Sequence, residues 1–206
     1  MNQLIKTIKK LKQSPISETV NKRLKEFEDL GKKGNDDWFC ELCFCILTAN
    51  SKASTALSIQ EELGANGFVS YPQDSLCNCI KRNKHRFHYK KTKYIIEARK
   101  HKKIKEILKK EKEPREWLVK NIKGLGWKES SHFLRNVGYF DYAIFDRHII
   151  SLMYEQGYIK QKPKNLSKNI YLAIEKQFID IACELGMTSA ELDLYMWYIQ
   201  TGQVLK

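Results

Sequence analysis

A Gly-Leu-Gly turn at residues 124–126 separates two segments that both have the apolar spacing of a helix, residues 114–122 and 127–136. Gly138 is placed to end the second helix. Glycine accepts positive φ angles and close backbone approach, and the N–H groups at the start of a helix can point at an anion. The turn therefore predicts a helix–hairpin–helix that holds a phosphate without reading bases. An ordinary connection between two helices is the alternative.

Helical spacing extends through nearly the whole chain. The predicted helices cover residues 4–11, 16–30, 38–48, 51–63, 73–82, 114–122, 127–136, 146–156, 166–185 and 189–201, with one more that follows the basic stretch 81–93 and continues to about residue 110. No stretch alternates between apolar and polar residues for long enough to indicate a strand. We therefore expect an all-α fold of two helical lobes, with the hairpin beside the cleft between them.

Local signals set some of the helix ends. The run Asn-Asp-Asp at 35–37 is expected to cap the helix 38–48, which is apolar nearly all round and should lie at the centre of the core. A loop over residues 64–72, which begins with a glycine, is expected to close the next helix. Thr188 followed by Glu191 has the pattern of a capping box.

The charge balance of the chain favours a polyanionic partner. Lysine and arginine total 37 against 24 aspartates and glutamates, which gives a net charge of +13. A field of this sign attracts DNA or RNA, although general solubility or an acidic protein partner would also explain it. No apolar run approaches the ~20 residues that cross a bilayer, and the N-terminus lacks the apolar stretch of a signal peptide. We expect an intracellular location, in the cytoplasm or nucleoid.

The six cysteines do not have the spacing of a metal site. Three of them, Cys40, Cys43 and Cys45, lie in an apolar run where cysteine acts as a small hydrophobic residue. Cys77 and Cys79 are too close for a zinc knuckle, and no cluster follows near the C-terminus. We expect reduced thiols, no metal and no cofactor.

Lys128 and Asp146 are the residues most suited to chemistry. Lys128 lies in the first turn of a predicted helix, where the helix dipole and the neighbouring Lys123 disfavour an ammonium and so favour a free amine. A lysine that only contacts phosphate is the alternative. Asp146 follows eighteen positions later (146 − 128), after an apolar run. It suits a helix N-cap, and a carboxylate there could also stabilise positive charge on a sugar; the two roles are compatible.

Three further residues could enter a DNA duplex. Asn50 lies between two predicted helices, where its amide could cap the second one or fill the gap left by an extruded base. Arg86 and Phe87 stand in a basic stretch with interleaved aromatics, a composition that suits backbone binding and base stacking. Phe87 could instead be the first core residue of its helix. Trp197, in an aromatic run of the last helix, could stack on a flipped base or belong to the core.

Taken together, these motifs resemble the helix–hairpin–helix DNA glycosylases of the endonuclease III superfamily, and more closely the archaeal-type 8-oxoguanine DNA glycosylases. The run Lys-Gly-Leu-Gly-Trp-Lys-Glu-Ser-Ser-His-Phe-Leu-Arg-Asn-Val-Gly at 123–138 and Ala-Ile-Phe-Asp-Arg-His at 143–148 carry most of the resemblance. Leu-Thr-Ala-Asn at 47–50 and Arg-Phe-His at 86–88 add to it. The missing C-terminal cysteine quartet is a departure from the iron–sulfur members.

The resemblance implies a bifunctional enzyme that removes 8-oxoguanine from double-stranded DNA and then nicks the strand. It implies Lys128 as the nucleophile that forms a Schiff base, Asp146 as the catalytic carboxylate, and β-elimination at the abasic site. The implied DNA-binding residues are Lys123, Gly124, Gly126, Asn50, Arg86 and Phe87. It also implies a helical barrel over residues 30–140, which includes the hairpin at about 113–137, and a second lobe formed by residues 1–29 and 141–206. We expect a monomer.

The base pocket would have to distinguish 8-oxoguanine from guanine by a hydrogen bond. Oxidation gives N7 a hydrogen, whereas N7 of guanine is an acceptor. The carboxylate of Lys206 could accept that hydrogen if the tail folds back beside Trp197. Three other functions are alternatives to an 8-oxoguanine glycosylase: a glycosylase for another oxidised base, a helix–hairpin–helix module that binds DNA without catalysing a reaction, and an adaptor for an acidic protein.

Overall fold

The computed structural model describes residues 3–204 and 206, and its regular structure there is entirely helical. The twelve α-helices of the described residues are α1 (Gln3–Lys12), α2 (Ile16–Lys32), α3 (Asn35–Thr48), α4 (Ala53–Ser70), α5 (Gln73–Arg82), α6 (His88–Ala98), α7 (Ile104–Leu108), α8 (Pro114–Asn121), α9 (Trp127–Asn136), α10 (Arg147–Glu155), α11 (Lys168–Leu185) and α12 (Ser189–Thr201). A 3₁₀ turn over Arg99–His101 follows α6. The predicted all-α fold is confirmed. None of the described helices is long and apolar enough to span a membrane.

The chain forms two compact helical units. One consists of Leu30–Phe133, and the other joins the N-terminal residues up to Asp29 to the residues from Leu134 onward. The second boundary falls within α9. The barrel shape that we predicted for residues 30–140 stays a prediction.

Helix α3 is the core of the unit formed by residues 30–133, as its composition predicts. From Trp38 to Thr48 its side chains are buried, apart from the half-buried Cys40. Helices α4, α6 and α7 pack against it. Because α3 is apolar on nearly every face, other helices can surround it. Its buried Glu41 accepts a hydrogen bond from Nε2 of Gln60 at 3.2 Å.

Two predicted helix ends in this unit are wrong. Asn35 does not cap α3; its side-chain oxygen accepts the backbone N–H groups of Lys105 and Glu106, at 3.0 and 3.4 Å, and so caps the distant α7. Gly64 does not open a loop, because α4 continues beyond it to Ser70 after a kink at φ 56°. Gly64 does interrupt the helix, as predicted, with a φ that glycine readily takes, but a second helical stretch follows at once where the loop was expected.

The other predicted long helix is also interrupted. The segment that follows the basic stretch does not continue as one helix to residue 110, but is divided among α6, the 3₁₀ turn and the five-residue α7. A run of lysines offers few apolar side chains with which to bury one continuous helical face, so short pieces follow the surface instead.

The unit that contains both chain ends buries the apolar faces of α1, α10, α11 and α12. Thr188 accepts the backbone N–H of Glu191, which confirms the predicted cap of α12. Arg135 pairs with Asp193 in the interior, and its guanidinium lies over the Phe27 ring. This pair connects the end of α9 to α12. Removing either partner would leave a buried charge uncompensated, so the unit should be strongly destabilised without it.

Candidate functional site

The hairpin between α8 and α9 is held by an arginine that spans both helices. Arg115, in α8, is buried, and its Nη1 donates to Ser131 Oγ of α9 at 3.2 Å. Its guanidinium carbon also lies 4.7 Å from the centroid of the Trp127 ring. These contacts fix the first turn of α9, the turn that carries Lys128.

The two glycines of the hairpin have different structural requirements. Gly124 has φ 94°, and a Cβ built on it would lie 2.5 Å from Cδ2 of Tyr94, so only glycine fits. Gly126 has no positive φ, and a Cβ there would meet only Oε2 of Glu129, at 3.4 Å. Gly126 therefore does not use the positive φ that a glycine permits. Lys123, just before the turn, is exposed and pairs with Glu97 of α6 at 3.1 Å.

A carboxylate lies across the predicted phosphate grip. The backbone N–H of Gly126 donates to Oε2 of Glu129 at 3.3 Å, and Oε1 of the same side chain lies 3.8 Å from Nζ of Lys128. Glu129 therefore caps α9 in the way a capping box does and partly neutralises the lysine. Sequence reasoning missed this residue, although a glutamate three positions after Gly126 is the local signal for it.

A second lysine, which the sequence analysis assigned only to a basic stretch, is buried near Lys128. Lys91 of α6 is 4% exposed, and its Nζ donates to the carbonyl oxygen of Ile46 at 2.6 Å. Burial lowers the pKa of Lys91 from 10.5 to about 8; the charge of Glu129 opposes the shift, and the charges of Lys90 and Lys128 add to it. The burial of Lys91 thus disfavours its ammonium form.

Asp146 is the N-cap of α10, as one of its two predicted roles requires. The backbone N–H groups of His148 and Ile149 both donate to its Oδ1, each at 2.9 Å. Its Oδ2 has no hydrogen-bond partner among the residues that the structure describes. One oxygen therefore holds the helix while the other is available to a ligand.

The irregular segment that leads to Asp146 is anchored on α11. Tyr171 Oη donates to the carbonyl oxygen of Ala143 at 2.7 Å, and Glu175 Oε1 accepts the backbone N–H of the same residue at 3.0 Å. Phe145 packs against the Tyr171 ring at a centroid distance of 4.8 Å. Three buried contacts thus fix the backbone at the position from which Asp146 extends.

Trp197 lies beside the start of α10. Its ring meets that of His148 edge to face, with the centroids 5.0 Å apart. Its indole N–H is buried without a hydrogen-bond partner among the described residues. Of the other two aromatic residues of this run, Tyr195 is buried in the core and Tyr198 is half-buried. Lys206 is half-buried, and its role in base recognition stays a prediction; Leu205, just before it, lies outside the described residues.

The three residues predicted to enter DNA all belong to the unit formed by residues 30–133. Asn50 is exposed with φ 60°, and it does not cap α4, which begins at Ala53 without a side-chain cap. The capping alternative for Asn50 is therefore wrong. Phe87 is half-buried at the N-cap of α6, not a core residue, and the guanidinium carbon of Arg86 lies 4.3 Å from its ring centroid.

The cysteines are thiols in the structure, buried or half-buried except for the exposed Cys183. Within the described part of the chain no three His, Cys, Asp or Glu side chains are grouped to hold a metal ion.

The fold and the hairpin define the chain as a helix–hairpin–helix protein. A family model described as 8-oxoguanine DNA glycosylase matches residues 20–187. An 8-oxoguanine DNA glycosylase/AP lyase of Methanocaldococcus jannaschii is 50% identical over 98% of this chain and 99% of its own length. One from Korarchaeum cryptofilum is 41% identical over 100% and 99%.

Solved structures agree with the sequence relatives. The M. jannaschii 8-oxoguanine glycosylase/lyase, in complex with a 15mer DNA that contains 8-oxoguanine, superposes with a TM-score of 0.96 at 49% identity, covering 98% of this chain and 99% of that one. The 8-oxoguanine DNA glycosylase of Thermotoga maritima gives 0.93 at 40% identity, with 99% of each chain covered. The chain belongs to the 8-oxoguanine DNA glycosylase family, and the resemblance drawn from the sequence is confirmed.

Proposed function

We propose that this protein is a DNA-repair enzyme that removes 8-oxoguanine from duplex DNA and then cuts the strand at the abasic site. The observation that carries the proposal is the 50% identity, over nearly the full length of both chains, with a relative named 8-oxoguanine DNA glycosylase/AP lyase. The net charge of +13 supports binding to a polyanion.

Lys128 is the proposed nucleophile. Its amine attacks C1′ of the damaged nucleotide, the glycosidic bond breaks with its electron pair leaving on the base, and loss of a proton and opening of the sugar give an imine between enzyme and DNA. Its side chain is 27% exposed, so part of it is accessible from solvent. The imine then withdraws electrons, and loss of a C2′ proton expels the 3′ phosphate by β-elimination.

Asp146 is the proposed carboxylate partner. Positive charge develops on the sugar as the base departs, and a fixed carboxylate nearby lowers the energy of that state. Its Oδ1 is held by two backbone N–H groups, so the carboxylate needs no reorganisation when charge appears. The unpartnered Oδ2 is the oxygen proposed to face the substrate.

The hairpin is the proposed phosphate grip, formed by Lys123, Gly124 and Gly126. In the DNA-free protein the N–H of Gly126 donates to Glu129. A phosphate that takes this N–H must displace the Glu129 carboxylate, since two anions cannot share one donor without repulsion.

Asn50, Arg86 and Phe87 are proposed to enter the duplex where the damaged base leaves it. The exposure of Asn50 and Arg86 suits this role, and the half-buried ring of Phe87 is an aromatic surface on which a base can stack. Trp197 is the proposed platform on which the extruded base stacks. Its buried indole N–H has no partner among the described residues and is proposed to donate a hydrogen bond to the bound nucleotide. We place the enzyme with the genomic DNA, in the cytoplasm or nucleoid.

Borohydride trapping tests the proposal. Reduction of the imine on a duplex that contains 8-oxoguanine should join protein and DNA covalently in the parent chain, and Lys128→Gln should abolish the product. Lys120→Gln is the matched control, because Lys120 is an exposed lysine of α8 in the same hairpin. Trapping only with oxidised pyrimidines would make the protein a glycosylase for another base. DNA binding without trapping on any lesion would make it a binding module.

A further inference from the structure

A buried histidine connects the two segments that carry Asn50 and Phe87. His85 lies between α5 and α6 and is 2% exposed. Its Nε2 is 2.9 Å from the carbonyl oxygen of Leu47, 38 residues away in α3. The backbone N–H of Phe87 donates to its Nδ1 at 3.2 Å. One imidazole ring therefore bonds to the end of α3 on one side and to the start of α6 on the other.

These two bonds define the protonation state of the ring. A carbonyl oxygen only accepts, so Nε2 carries the hydrogen, and Nδ1 accepts from Phe87 only when it carries none. Burial lowers the pKa of His85; the bond to Leu47 opposes the shift, and the charges of Lys91 and His88 add to it. The ring is thus neutral at physiological pH, in the form that makes both bonds.

The end of α3 that the ring holds is immobilised by further side chains. Lys91 donates to Ile46 and Thr48 Oγ1 donates to Cys45, so with His85 the carbonyls of residues 45, 46 and 47 each accept a side-chain donor. Asn50 follows this end directly, in a left-handed conformation at φ 60°. The position of its backbone is therefore determined by how α3 ends, and His85 and its neighbours hold that end.

We propose that His85 is a positioning residue, which holds Asn50 and the Arg86–Phe87 pair at one fixed separation so that both enter the space left by the extruded base. The inference rests on the proposed function, because it needs a base to be extruded. Extrusion costs a few kcal/mol, and the groups that replace the base must reach their places together. A ring that bonds to both segments makes them one rigid unit, and a displacement of about 1 Å in such a unit can slow a reaction by up to ~100-fold.

Two variants separate the two bonds. His85→Gln places its amide nitrogen near the position of Nε2, so it keeps a donor for Leu47 and loses the acceptor for Phe87. His85→Asn places its amide near Nδ1, so it keeps an acceptor for Phe87 and loses the donor for Leu47. We expect both to slow single-turnover removal of 8-oxoguanine opposite cytosine by about tenfold or more, since either break releases one segment from the other.

Two other substrates show whether the loss concerns extrusion. A duplex with a preformed abasic site needs no base to leave the stack, so both variants should cut it at the parent rate. A duplex with 8-oxoguanine opposite a missing base lowers the cost of extrusion, so both variants should remove the lesion there within about threefold of the parent. Arg99→Gln is the control: it removes side-chain bonds to the carbonyls of Phe68 and Tyr71 in the same unit, and should change no substrate selectively.

The outcomes separate the two proposals. A parent chain that fails to form an imine with the abasic duplex contradicts the proposed function. A parent that forms it, with variants that lose nothing or lose equally on all three substrates, overturns the role of His85. Should neither variant fold, the excision rates of Asn50→Ala, Phe87→Ala and the double variant are compared with the parent rate. Residues that act as one unit have non-additive effects, so the double variant should lose less than the product of the two single losses. Losses that simply multiply in the double variant would also overturn the proposal.

Discussion

Helices α9 and α10 begin with opposite charges, and the two beginnings are stabilised in opposite ways. At α10 the carboxylate of Asp146 accepts two backbone N–H groups at the positive end of the helix dipole. At α9 the ammonium of Lys128 lies in the same kind of field, which disfavours it, and Glu129 provides the compensating charge. A residue can therefore serve stability and chemistry together at α10, whereas at α9 the two conflict.

The largest expected effect is on the chemistry of Asp146→Asn. Asparagine is as good an N-cap as aspartate, so the stability of the fold should change by less than about 0.5 kcal/mol. The charge that we propose to stabilise the sugar is lost, so single-turnover excision should fall by roughly 10²–10³-fold while DNA affinity is kept.

Asp146→Ala extends this comparison. It removes the cap as well as the charge and should cost a further ~1 kcal/mol of stability by thermal unfolding. An asparagine variant that loses stability but keeps its rate would leave Asp146 with the capping role alone.

Gly124→Ala tests the backbone that presents α9. A side chain at φ 94° whose Cβ meets Tyr94 at 2.5 Å should destabilise the protein by about 2–4 kcal/mol, measured by urea unfolding. Gly126→Ala is the matched control and should cost less than about 1 kcal/mol. Equal losses for the two variants would contradict the difference between the two glycines.

The buried Lys91 predicts a pH dependence of stability in the alkaline range. Because its folded pKa is lowered to about 8 from 10.5, the unfolded chain binds more protons between these values, and stability should rise with pH across this window. Lys91→Met removes the titrating group and should flatten the rise in chemical denaturation curves. A parent chain whose stability is independent of pH between 8 and 10.5 would contradict the burial of this charge.

The smallest expected effect concerns the stability of Lys128→Gln. Loss of a cation from the first turn of α9 should leave the free energy of unfolding unchanged or raise it by up to about 0.5 kcal/mol, since the half-buried pair with Glu129 is long, at 3.8 Å, and contributes little. Thermal unfolding beside Lys120→Gln measures this difference. A loss of more than about 1 kcal/mol would show that Lys128 is retained for stability.

The features that the sequence could predict are those in which neighbouring residues determine the geometry. The Gly-Leu-Gly turn, the cap by Asp146 and the cap by Thr188 each depend on residues within four positions of one another. Asn35 was assigned to the nearest helix for the same reason. Its side chain in fact caps a helix about 70 residues away, a choice that only the packing of α3 against α7 determines.

The predicted DNA-entering residues show the same limit. Asn50 and Phe87 could be selected by residue type, but the histidine that connects their segments could not, because its two partners are 38 residues and two residues away. Lys91 was likewise indistinguishable from the surface lysines beside it until α3 and α6 were packed together.

The identity of the lysine that forms the imine is the central claim, and mass spectrometry of the borohydride-reduced complex tests it most directly. After digestion of protein and DNA, the sugar remnant should be found on the peptide that contains Lys128. Lys91 is the informative competitor, because its pKa of about 8 lies below the usual value for lysine and its amine is therefore more readily deprotonated than that of an ordinary lysine. A remnant on Lys128 alone is the result that we predict, and a remnant on Lys91 or spread over several surface lysines would contradict it.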